Sequence, residues 1–299
     1  MPRASIIIPT CDRTEDLRRC IGVLKKQLPV DGSVGIIVCD DGKGEESRKM
    51  LAAEFPEVEW RRGPRKGPAA NRNFGVKFAS SEWLIYIDDD CIPRNRYLAS
   101  YLREFEAAGT RGLFHGLTFP VPELKSMAYE APAITSPQKI FPSCNFAIRK
   151  ELFEGTGGFD ERYYPAFEDI EYFSRLDRLG ADAGCVEGAA VDHPIRPIPN
   201  SRKLASRWEA RVVSVMDLGA TSSDVSVRLP KHVLFVILSR FRGAKPTLEN
   251  ARAALVFAGE FLYFLYFLPG WIRKHANEPR SKFWTEQVAL GKAPARFGL

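Results

Sequence analysis

Short apolar runs alternate with stretches of helical periodicity over the first hundred residues of the chain. Three of the runs are predicted to be buried strands: ASIIIPT (residues 4–10), VGIIVCDDG (34–42) and WLIYIDDDCIP (83–93). A shorter strand is predicted near Val58, and helices are predicted at residues 14–28, 45–55 and 71–78. This alternation indicates repeated βαβ units on a mostly parallel sheet. We therefore predict an α/β, doubly wound fold whose ligands bind beyond the carboxyl ends of the strands.

The spacing of apolar residues predicts which face of each helix is buried. In the first helix, Thr14 is placed to cap the N-terminus, and the anions Glu15 and Asp16 suit the helix dipole. Steps of three and four residues predict that this helix buries Leu17, Cys20, Ile21, Leu24 and Leu28. The same steps predict a later helix that buries Ile170, Phe173, Leu176 and Leu179.

The regular pattern loosens after Pro93. Residues 119–142 are rich in proline and predict a mobile or substrate-facing connection. Prolines and a basic pair at residues 194–203 mark a predicted boundary between two regions. The predicted regions are a domain of residues 1–198, in two parts of about 1–93 and 94–198, and a helical region of residues 199–299.

The net charge of +6 is distributed unevenly between the two regions. From residue 201 onward 16 Lys and Arg stand against 7 Asp and Glu, a net +9, so the first two hundred residues carry −3. No nucleic-acid-binding motif accompanies the basic residues, so nucleic acid is not an expected partner. An anionic membrane surface suits this distribution better.

Cysteine use and the N-terminus indicate a cytoplasmic protein. The chain has a globular composition, with 45% hydrophobic and 27% charged residues among 299. Its six cysteines form no CxxC pair, so we expect reduced core residues rather than zinc ligands or disulfides. The apolar part of MPRASIIIPT is too short for a signal peptide and reads as a strand.

The most apolar stretch is AALVFAGEFLYFLYFLPGWIRK, residues 253–274. As a helix its roughly 20 apolar residues would reach about 30 Å, the thickness of a hydrocarbon core, but Glu260 lies inside it. Residues 228–245 pair a short apolar centre with basic ends. We expect both helices to lie in the interface of an anionic membrane, peripheral on the inner face of the plasma membrane. A buried helical cap or oligomer contact and a true span are the alternatives.

Two of the predicted strands end in carboxylates. Asp40 and Asp41 follow one strand, and the next long strand runs into Asp88, Asp89 and Asp90. In a parallel sheet both ends lie at one edge, so these residues should face one crevice. Adjacent buried carboxylates need a compensating cation or ligand, and Mg²⁺ or Mn²⁺ beside phosphate oxygens fits this need. Either cluster could instead be a helix cap or a turn.

Four separated motifs resemble those of the inverting family 2 glycosyltransferases with a GT-A fold: ASIIIPTCDR, IIVCDDG, GPAANRNFGVKFASSEWLIYIDDDCIP and GGFDERYYPAFEDIEYFSRL. The resemblance covers about residues 4–195. It implies transfer of a sugar from a nucleotide donor, with a UDP-sugar favoured, to a hydroxyl of a glycan or lipid-linked acceptor. It also implies that residues 1–93 bind the nucleotide sugar and residues 94–198 the acceptor.

By this resemblance the acidic triplet is a DxD motif. Asp88 would meet the ribose or the donor sugar beside Asp89, and Asp90 would ligate a divalent cation, Mg²⁺ or Mn²⁺, on the diphosphate. His193 in VDHPIRP is a further candidate metal ligand, because some family members use a histidine there. A surface or core histidine is the alternative.

The resemblance also assigns residues to the nucleotide. Asp40 would hold the nucleobase beside Asp41, with Thr10 and Asp12 nearby. Arg72 in ANRN would contact the nucleotide or the donor sugar, unless it is an ion-pair partner on a helix surface.

Catalysis needs a base that takes the proton of the acceptor hydroxyl. FEDIEYF offers Glu168 and Asp169 at a helix start, where the dipole favours carboxylates. By resemblance to the family's ED motif Asp169 is the base with Glu168 beside it, although acids are also ordinary residues at helix N-termini. Arg207 in LASRW lies where processive members carry QxxRW. Leucine replaces the glutamine, so processivity is unsupported and Arg207 is a candidate diphosphate contact.

Two other functions are open at this point. A nucleotidyltransferase would also place acids and Mg²⁺ beside a nucleotide, and it would release pyrophosphate from a nucleoside triphosphate. A non-catalytic, membrane-bound scaffold that binds sugar nucleotides would bind nucleotide with metal but would not respond to Asp169→Asn.

Overall fold

The computed structural model describes residues 3–139 and 141–291, and residues 292–299 of the predicted helical region lie outside the described residues. The chain divides into two compact units. Unit 1 comprises Met1–Glu123, Ala131–Glu161 and Glu168–Ile195, and unit 2 comprises Leu124–Glu130, Arg162–Phe167 and Arg196–Leu299. Two short segments of the first two hundred residues therefore belong to the same unit as the C-terminal helices.

The described strands, in chain order, are β1 Ala4–Thr10, β2 Val34–Asp40, β3 Glu59–Arg62, β4 Trp83–Ile87, β5 Ile92–Pro93, β6 Leu113–Val121, β7 Tyr129–Glu130, β8 Asn145–Arg149, β9 Ala183–Pro194 and β10 Arg196–Pro197. The described helices are α1 Thr14–Lys25, α2 Glu46–Glu54, α3 Pro68–Val76, α4 Tyr97–Ala107, α5 Lys150–Gly155, α6 Glu168–Arg178, α7 Ser201–Ser206, α8 Trp208–Asp217, α9 Ser222–Ser239, α10 Leu248–His275 and α11 Lys282–Ala289.

Unit 1 is built on an eight-stranded sheet in the order β3-β2-β1-β4-β8-β6-β9-β5. Strands β1 to β4 are paired in parallel, as are β6 and β9. Strand β8 runs antiparallel to both of its neighbours. The predicted α/β fold with a mostly parallel sheet is confirmed. The direction of β8 was not predicted, because a buried strand of either direction shows a similar apolar run.

Helices cover both faces of this sheet, as expected of a doubly wound fold. Ile6 and Ile8 of β1 lie in one hydrophobic cluster with residues of α1, α2 and α4. Ile7 lies in a second cluster with residues of α3, α5 and α6. Successive side chains of a strand point to opposite faces, so β1 is buried on both sides and every one of its residues is buried.

Two predictions about helix α1 are wrong. Arg13 is the N-cap residue and Thr14 is the first helical residue, so Thr14 does not cap the helix. Its hydroxyl is instead hydrogen-bonded to the Ser47 hydroxyl, at 3.0 Å. Leu28 lies beyond the end of the helix and is partly buried against the core.

Helix α6 buries Phe173 and Leu176 as predicted, but the other two residues predicted to be buried are exposed. Ile170 and Leu179 are exposed, at 36% and 53%. The Arg175 guanidinium donates to both carboxylate oxygens of Glu171, at 2.9 and 3.0 Å, so this charged pair is compensated where it is buried. Apolar spacing ignores such pairs, which is the physical reason for the error. The buried residues of α6 are Glu168, Glu171, Tyr172, Phe173, Arg175 and Leu176.

Unit 2 is mainly helical, with β7 and β10 paired antiparallel. Residues of α7, α8, α9 and α10 share one hydrophobic cluster. Glu260, inside the apolar helix α10, is 1% exposed. Its carboxylate accepts hydrogen bonds from Trp208 Nε1 at 2.8 Å and from the Arg240 guanidinium at 2.6 Å. The charge that interrupts the apolar stretch therefore joins α10 to α8 and to the end of α9.

We expect Glu260→Ala to destabilise unit 2 by about 1–3 kcal/mol, because the Trp208 and Arg240 donors lose their acceptor. Urea unfolding followed by circular dichroism measures the change in the free energy of unfolding. Glu249→Ala is the control, since it removes an exposed glutamate from the first turn of the same helix. It should cost about 0.5 kcal/mol. Equal losses for the two variants would contradict the importance of the Glu260 contacts.

Candidate active site

The carboxyl ends of β1, β2 and β4 lie at one edge of the sheet, because these strands are parallel. Thr10 ends β1 in register with Asp40, which ends β2. The N–H of Asp41 donates to the Thr10 carbonyl at 2.9 Å, and Asp88 directly follows β4. The two acidic clusters therefore lie at the same edge, as their positions after the strands predict.

Asp89 is held by Thr10 and Arg13. The Thr10 hydroxyl donates to Asp89 Oδ2 at 2.6 Å, and Arg13 Nη1 lies 3.2 Å from Asp89 Oδ1. The same Arg13 nitrogen lies 3.0 Å from Asp90 Oδ2. Burial raises the pKa of Asp89 to about 7, although Arg13 and the Thr10 hydrogen bond favour the charged carboxylate. Arg13 was missing from the predicted site, and its place in the loop after β1, three residues beyond Thr10, was the available signal.

Asp90 and His193 form the part of the edge that fits a divalent cation. His193 Nδ1 lies 2.9 Å from the Pro194 carbonyl oxygen, so we assign the ring proton to this nitrogen. The other ring nitrogen, Nε2, lies 3.4 Å from Asp90 Oδ1. Two electron-rich atoms at this distance need a cation between them, a proton or a metal ion. Carboxylate and imidazole both suit Mn²⁺, so the pair fits the predicted cation.

Cys91 lies beside this pair, and its thiol is hydrogen-bonded within the protein. Its Sγ and the ligand atoms of Asp90 and His193 lie within 4.8 Å of one another. The Cys91 thiol donates to the Cys144 carbonyl at 3.7 Å. The interaction with Cys144 and burial raise the pKa of the Cys91 thiol well above its usual value. All six cysteines are free; four are buried as predicted for core residues, whereas Cys11 is exposed and Cys185 is partly buried.

Arg72 links Asp88 to the start of helix α6. Its guanidinium donates to Asp88 Oδ1 at 2.8 Å and to Glu168 Oε1 at 2.9 Å. Arg72 is 4% exposed, so the alternative of an ion pair on a helix surface is wrong. Burial opposes a charge on Arg72, but the two carboxylates outweigh this effect and raise its pKa. The contact brings the start of α6 to the acidic edge.

The carboxyl groups of Glu168 and Asp169 both have raised pKa values. Burial raises the pKa of Glu168 to about 7, with a further contribution from Asp169 and opposition from Arg72. Burial also raises the pKa of Asp169, opposed by the Ile170 N–H, which donates to Asp169 Oδ1 at 2.8 Å. A carboxyl group with a raised pKa is better matched to proton exchange near neutral pH than an ordinary aspartate.

The loops that follow β2 and β3 donate hydrogen bonds to Asp40, Asp41 and Asp12. Asp40 accepts hydrogen bonds from the Gly42 N–H at 2.8 Å and from Trp60 Nε1 at 3.3 Å. Asp41 accepts from two loop N–H groups at 2.9 and 3.3 Å, and Asp12 Oδ1 accepts from a third at 3.0 Å. Of these bonds the one between Asp40 and Gly42 is a local turn contact, whereas the others join residues far apart in the chain, and nucleotide binding by the three residues stays a prediction.

Arg207 lies in unit 2, in the connection between α7 and α8. Its guanidinium donates to both carboxylate oxygens of Glu130, at 2.7 and 2.6 Å. The charge of Arg207 is therefore compensated within that unit by a two-point contact. A diphosphate contact by Arg207 stays a prediction.

The model of the family described as Glycosyl transferase family 2 matches residues 5–157. Glycosyltransferase AglE of Haloferax volcanii is 21% identical over 210 residues, which cover 66% of this chain and 68% of that protein. A pre-mycofactocin glycosyltransferase of Mycobacterium tuberculosis is 26% identical over 253 residues, which cover 79% of this chain and 50% of that protein. The chain thus spans about half the length of this second relative. The GalNAc(5)-diNAcBac-PP-undecaprenol beta-1,3-glucosyltransferase of Campylobacter jejuni is 30% identical over 95 residues, 30% of each chain.

Solved structures of two other proteins share the fold. S. aureus TarS 1-349 in complex with UDP-GlcNAc gives a TM-score of 0.55 at 15% identity, covering 99% of this chain and 93% of that chain. The mannosyltransferase PcManGT from Pyrobaculum calidifontis, in complex with GDP-Man and Mn²⁺, gives a TM-score of 0.55 at 17% identity, covering 97% of this chain and 87% of that chain. These likenesses show the fold and confirm the predicted GT-A type. The family match ends at residue 157, before Glu168, Asp169 and His193.

We expect Arg72→Met to destabilise unit 1 by about 3–5 kcal/mol near pH 8, because Asp88 and Glu168 lose the cation that compensates them. The loss should shrink as the pH falls to about 5, since the Glu168 carboxyl, whose pKa is about 7, is then protonated and no longer needs the Arg72 charge. Urea unfolding at both pH values measures it. Arg103→Met, which removes an exposed surface arginine, is the control and should cost less than about 1 kcal/mol. A loss for Arg72→Met that does not change with pH would contradict this interpretation.

Proposed function

The chain belongs to glycosyl transferase family 2, and on this premise we propose that it is an inverting, metal-assisted glycosyltransferase. It moves a sugar from a nucleoside diphosphate donor to a hydroxyl of a glycan or lipid-linked acceptor. The observation that carries the proposal is the contact of Arg72 with Asp88 and Glu168 at the carboxyl edge of the sheet. Through it, the acidic triplet and the proposed base belong to one site. Residues 1–198 carry the reaction.

The donor binds along the acidic edge of unit 1. The ribose or the donor sugar is bound by Asp88 and Asp89, and the nucleobase is bound by Asp40 and Asp41. The family resemblance favours a UDP-sugar, and the two solved neighbours hold UDP-GlcNAc and GDP-Man, so guanine nucleotides belong in the test. The residues proposed for nucleotide-sugar binding are Thr10, Asp12, Asp40, Asp41, Arg72, Asp88, Asp89 and Arg207.

Asp90 and His193 hold the divalent cation. When bound, the cation neutralises the charge that develops on the leaving diphosphate. The 3.4 Å approach of Asp90 Oδ1 to His193 Nε2 supports this assignment, as does the Mn²⁺ named in the solved PcManGT complex. Arg13 contacts the other oxygen of Asp90, Oδ2, and so orients Oδ1 toward His193.

Asp169 is the proposed base. It takes the proton of the acceptor hydroxyl as that oxygen bonds to the anomeric carbon and the bond to the diphosphate oxygen breaks. Attack from the face opposite the leaving group inverts the anomeric configuration. The raised pKa of Asp169 supports this role, because a more basic carboxylate accepts the hydroxyl proton more readily. Glu168 is bound by Arg72, and its role is to position Arg72.

The acceptor is proposed to be a glycan or a lipid-linked intermediate. The Campylobacter jejuni relative is named for a PP-undecaprenol-linked compound, which supports the lipid-linked class. An acceptor of this class lies at a membrane surface, and the region after residue 200 carries a net +9. We therefore include in the proposal a cytoplasmic, peripheral location on the anionic inner face of the plasma membrane.

The test follows nucleoside diphosphate release from a panel of nucleotide sugars, with Mg²⁺, Mn²⁺ or EDTA and with membrane lipid extract as a source of acceptor. We expect turnover of one donor that EDTA abolishes. Asp169→Asn should lower kcat by about 10²–10⁴-fold, because it removes the base. Asp177→Asn is the matched control, since it changes a partly exposed acid of the same helix and should keep wild-type turnover.

Three outcomes would contradict the proposal. Pyrophosphate release from a nucleoside triphosphate would indicate nucleotidyl transfer instead. Metal-dependent nucleotide binding without turnover of any donor would indicate a non-catalytic binder. Full turnover by Asp169→Asn would show that another group accepts the proton.

A further inference from the structure

Two helices of unit 2 turn large apolar side chains to solvent. Leu255 and Tyr266 are 75% and 78% exposed. The exposed apolar residues are Val227, Leu234, Phe235 and Leu238 on α9, Phe241 in the turn that follows, and Leu248, Leu255, Leu262, Tyr263, Leu265 and Tyr266 on α10. We call this set the outer apolar face.

Helix α10 is apolar on its opposite side as well. Ala253, Phe257, Phe264, Leu268 and Trp271 are buried there, in one cluster with apolar residues of α7, α8 and α9. A surface helix of a soluble protein usually turns polar residues outward. A helix that is apolar on both sides therefore needs a second apolar environment besides the protein core.

Basic side chains flank the outer apolar face. Arg252 and Arg273 lie near the two ends of the apolar part of α10, and both are exposed. Apolar side chains with Lys and Arg around them suit an anionic bilayer, because the apolar groups enter the acyl boundary while the cations meet lipid phosphates. Further exposed basic residues on and after α9 are Arg228, Lys231, Arg242 and Lys245.

Glu260 limits how α10 can meet a bilayer. By length and composition alone α10 could cross a membrane, with a mean hydropathy of 1.5 over its most apolar window. Its Glu260 carboxylate, however, is bound by Trp208 and Arg240 within unit 2. Lys274, near the end of the helix, binds Glu209 of α8 at 2.7 Å. A spanning α10 would break these contacts or carry charges into hydrocarbon, and both are costly, whereas a helix lying in the membrane plane keeps them.

We propose that the outer apolar face lies in the surface of an anionic bilayer, with α10 and the C-terminal half of α9 in the membrane plane and neither helix crossing it. This deepens the peripheral location that is part of the proposed function. The inference rests on unit 2 alone, so it stands or fails independently of the transfer chemistry.

Co-sedimentation of the full chain with phosphatidylcholine vesicles, with and without phosphatidylglycerol, tests the surface. We expect binding to the anionic vesicles that salt weakens. Leu255→Glu combined with Tyr266→Glu should weaken binding by about tenfold or more, because two apolar anchors become two negative charges. Leu179→Glu makes the same kind of change at an exposed leucine of unit 1 and should leave binding unchanged. Circular dichroism checks that the variants are folded.

The depth of α10 is tested on membranes from cells that express the wild type. Alkaline carbonate should release the protein into the supernatant, and retention in the pellet would show a span and overturn the in-plane arrangement.

Two vesicle results would also overturn the proposal. One is equal binding of the wild type and the Leu255 and Tyr266 double variant. The other is a wild type that ignores vesicles but forms a dimer that the double variant loses, which would assign the face to a second copy of the chain. Donor hydrolysis without lipid should be the same in the double variant and the wild type, and this separates failure of the surface from failure of the proposed function.

Discussion

A guanidinium buried between two carboxylates is the interaction on which the candidate site depends. Arg72 contacts Asp88 and Glu168 and thereby joins α3, the end of β4 and the start of α6, which are distant along the chain. Taking carboxylates out of water is costly unless a cation compensates them. Because Arg72 supplies that charge, acidic groups can gather at the edge of the sheet without destabilising unit 1. The proximity of Asp169 to this edge is a consequence of the same contact.

The other carboxylates at this edge also need compensating positive charge, and groups other than Arg72 supply it. Arg13 lies against Asp89 and one oxygen of Asp90, so this part of the triplet is compensated by the protein itself. The other oxygen of Asp90 lies 3.4 Å from His193 Nε2, where a proton or a metal ion can lie between the two atoms. A diphosphate would add negative charge there, and Asp90 and His193 would be the residues to hold a divalent cation that balances it. In the proposed site, the protein's own cations and a bound metal ion would thus have separate places at one edge.

The sequence allowed the strands and the shared acidic edge to be predicted, because parallel strands end on one side and the acids directly follow them. Contacts between distant residues could not be predicted in this way. Arg13 meets Asp89 only because the loop after β1 turns it toward the edge, and apolar spacing carries no signal for this. The buried face of α6 was predicted only in part, because Glu171 and Arg175 are buried there as a pair while Ile170 is exposed. Charge pairing decides both cases, and a pattern of apolar positions does not encode it.

Unit 2 also contains a buried carboxylate that is compensated by hydrogen-bond donors. Glu260 is tolerated in an apolar helix because Trp208 and Arg240 donate to it.

The most direct test of the acidic edge of unit 1 is calorimetric titration of UDP and GDP into the wild type and Asp90→Ala, with and without Mn²⁺. If the edge is a cation-dependent nucleoside diphosphate site, Mn²⁺ should tighten binding of one nucleotide to the wild type by about tenfold or more, and Asp90→Ala should lose that gain. Binding that Mn²⁺ does not change in the wild type, or a gain that survives in Asp90→Ala, would contradict the assignment of this edge.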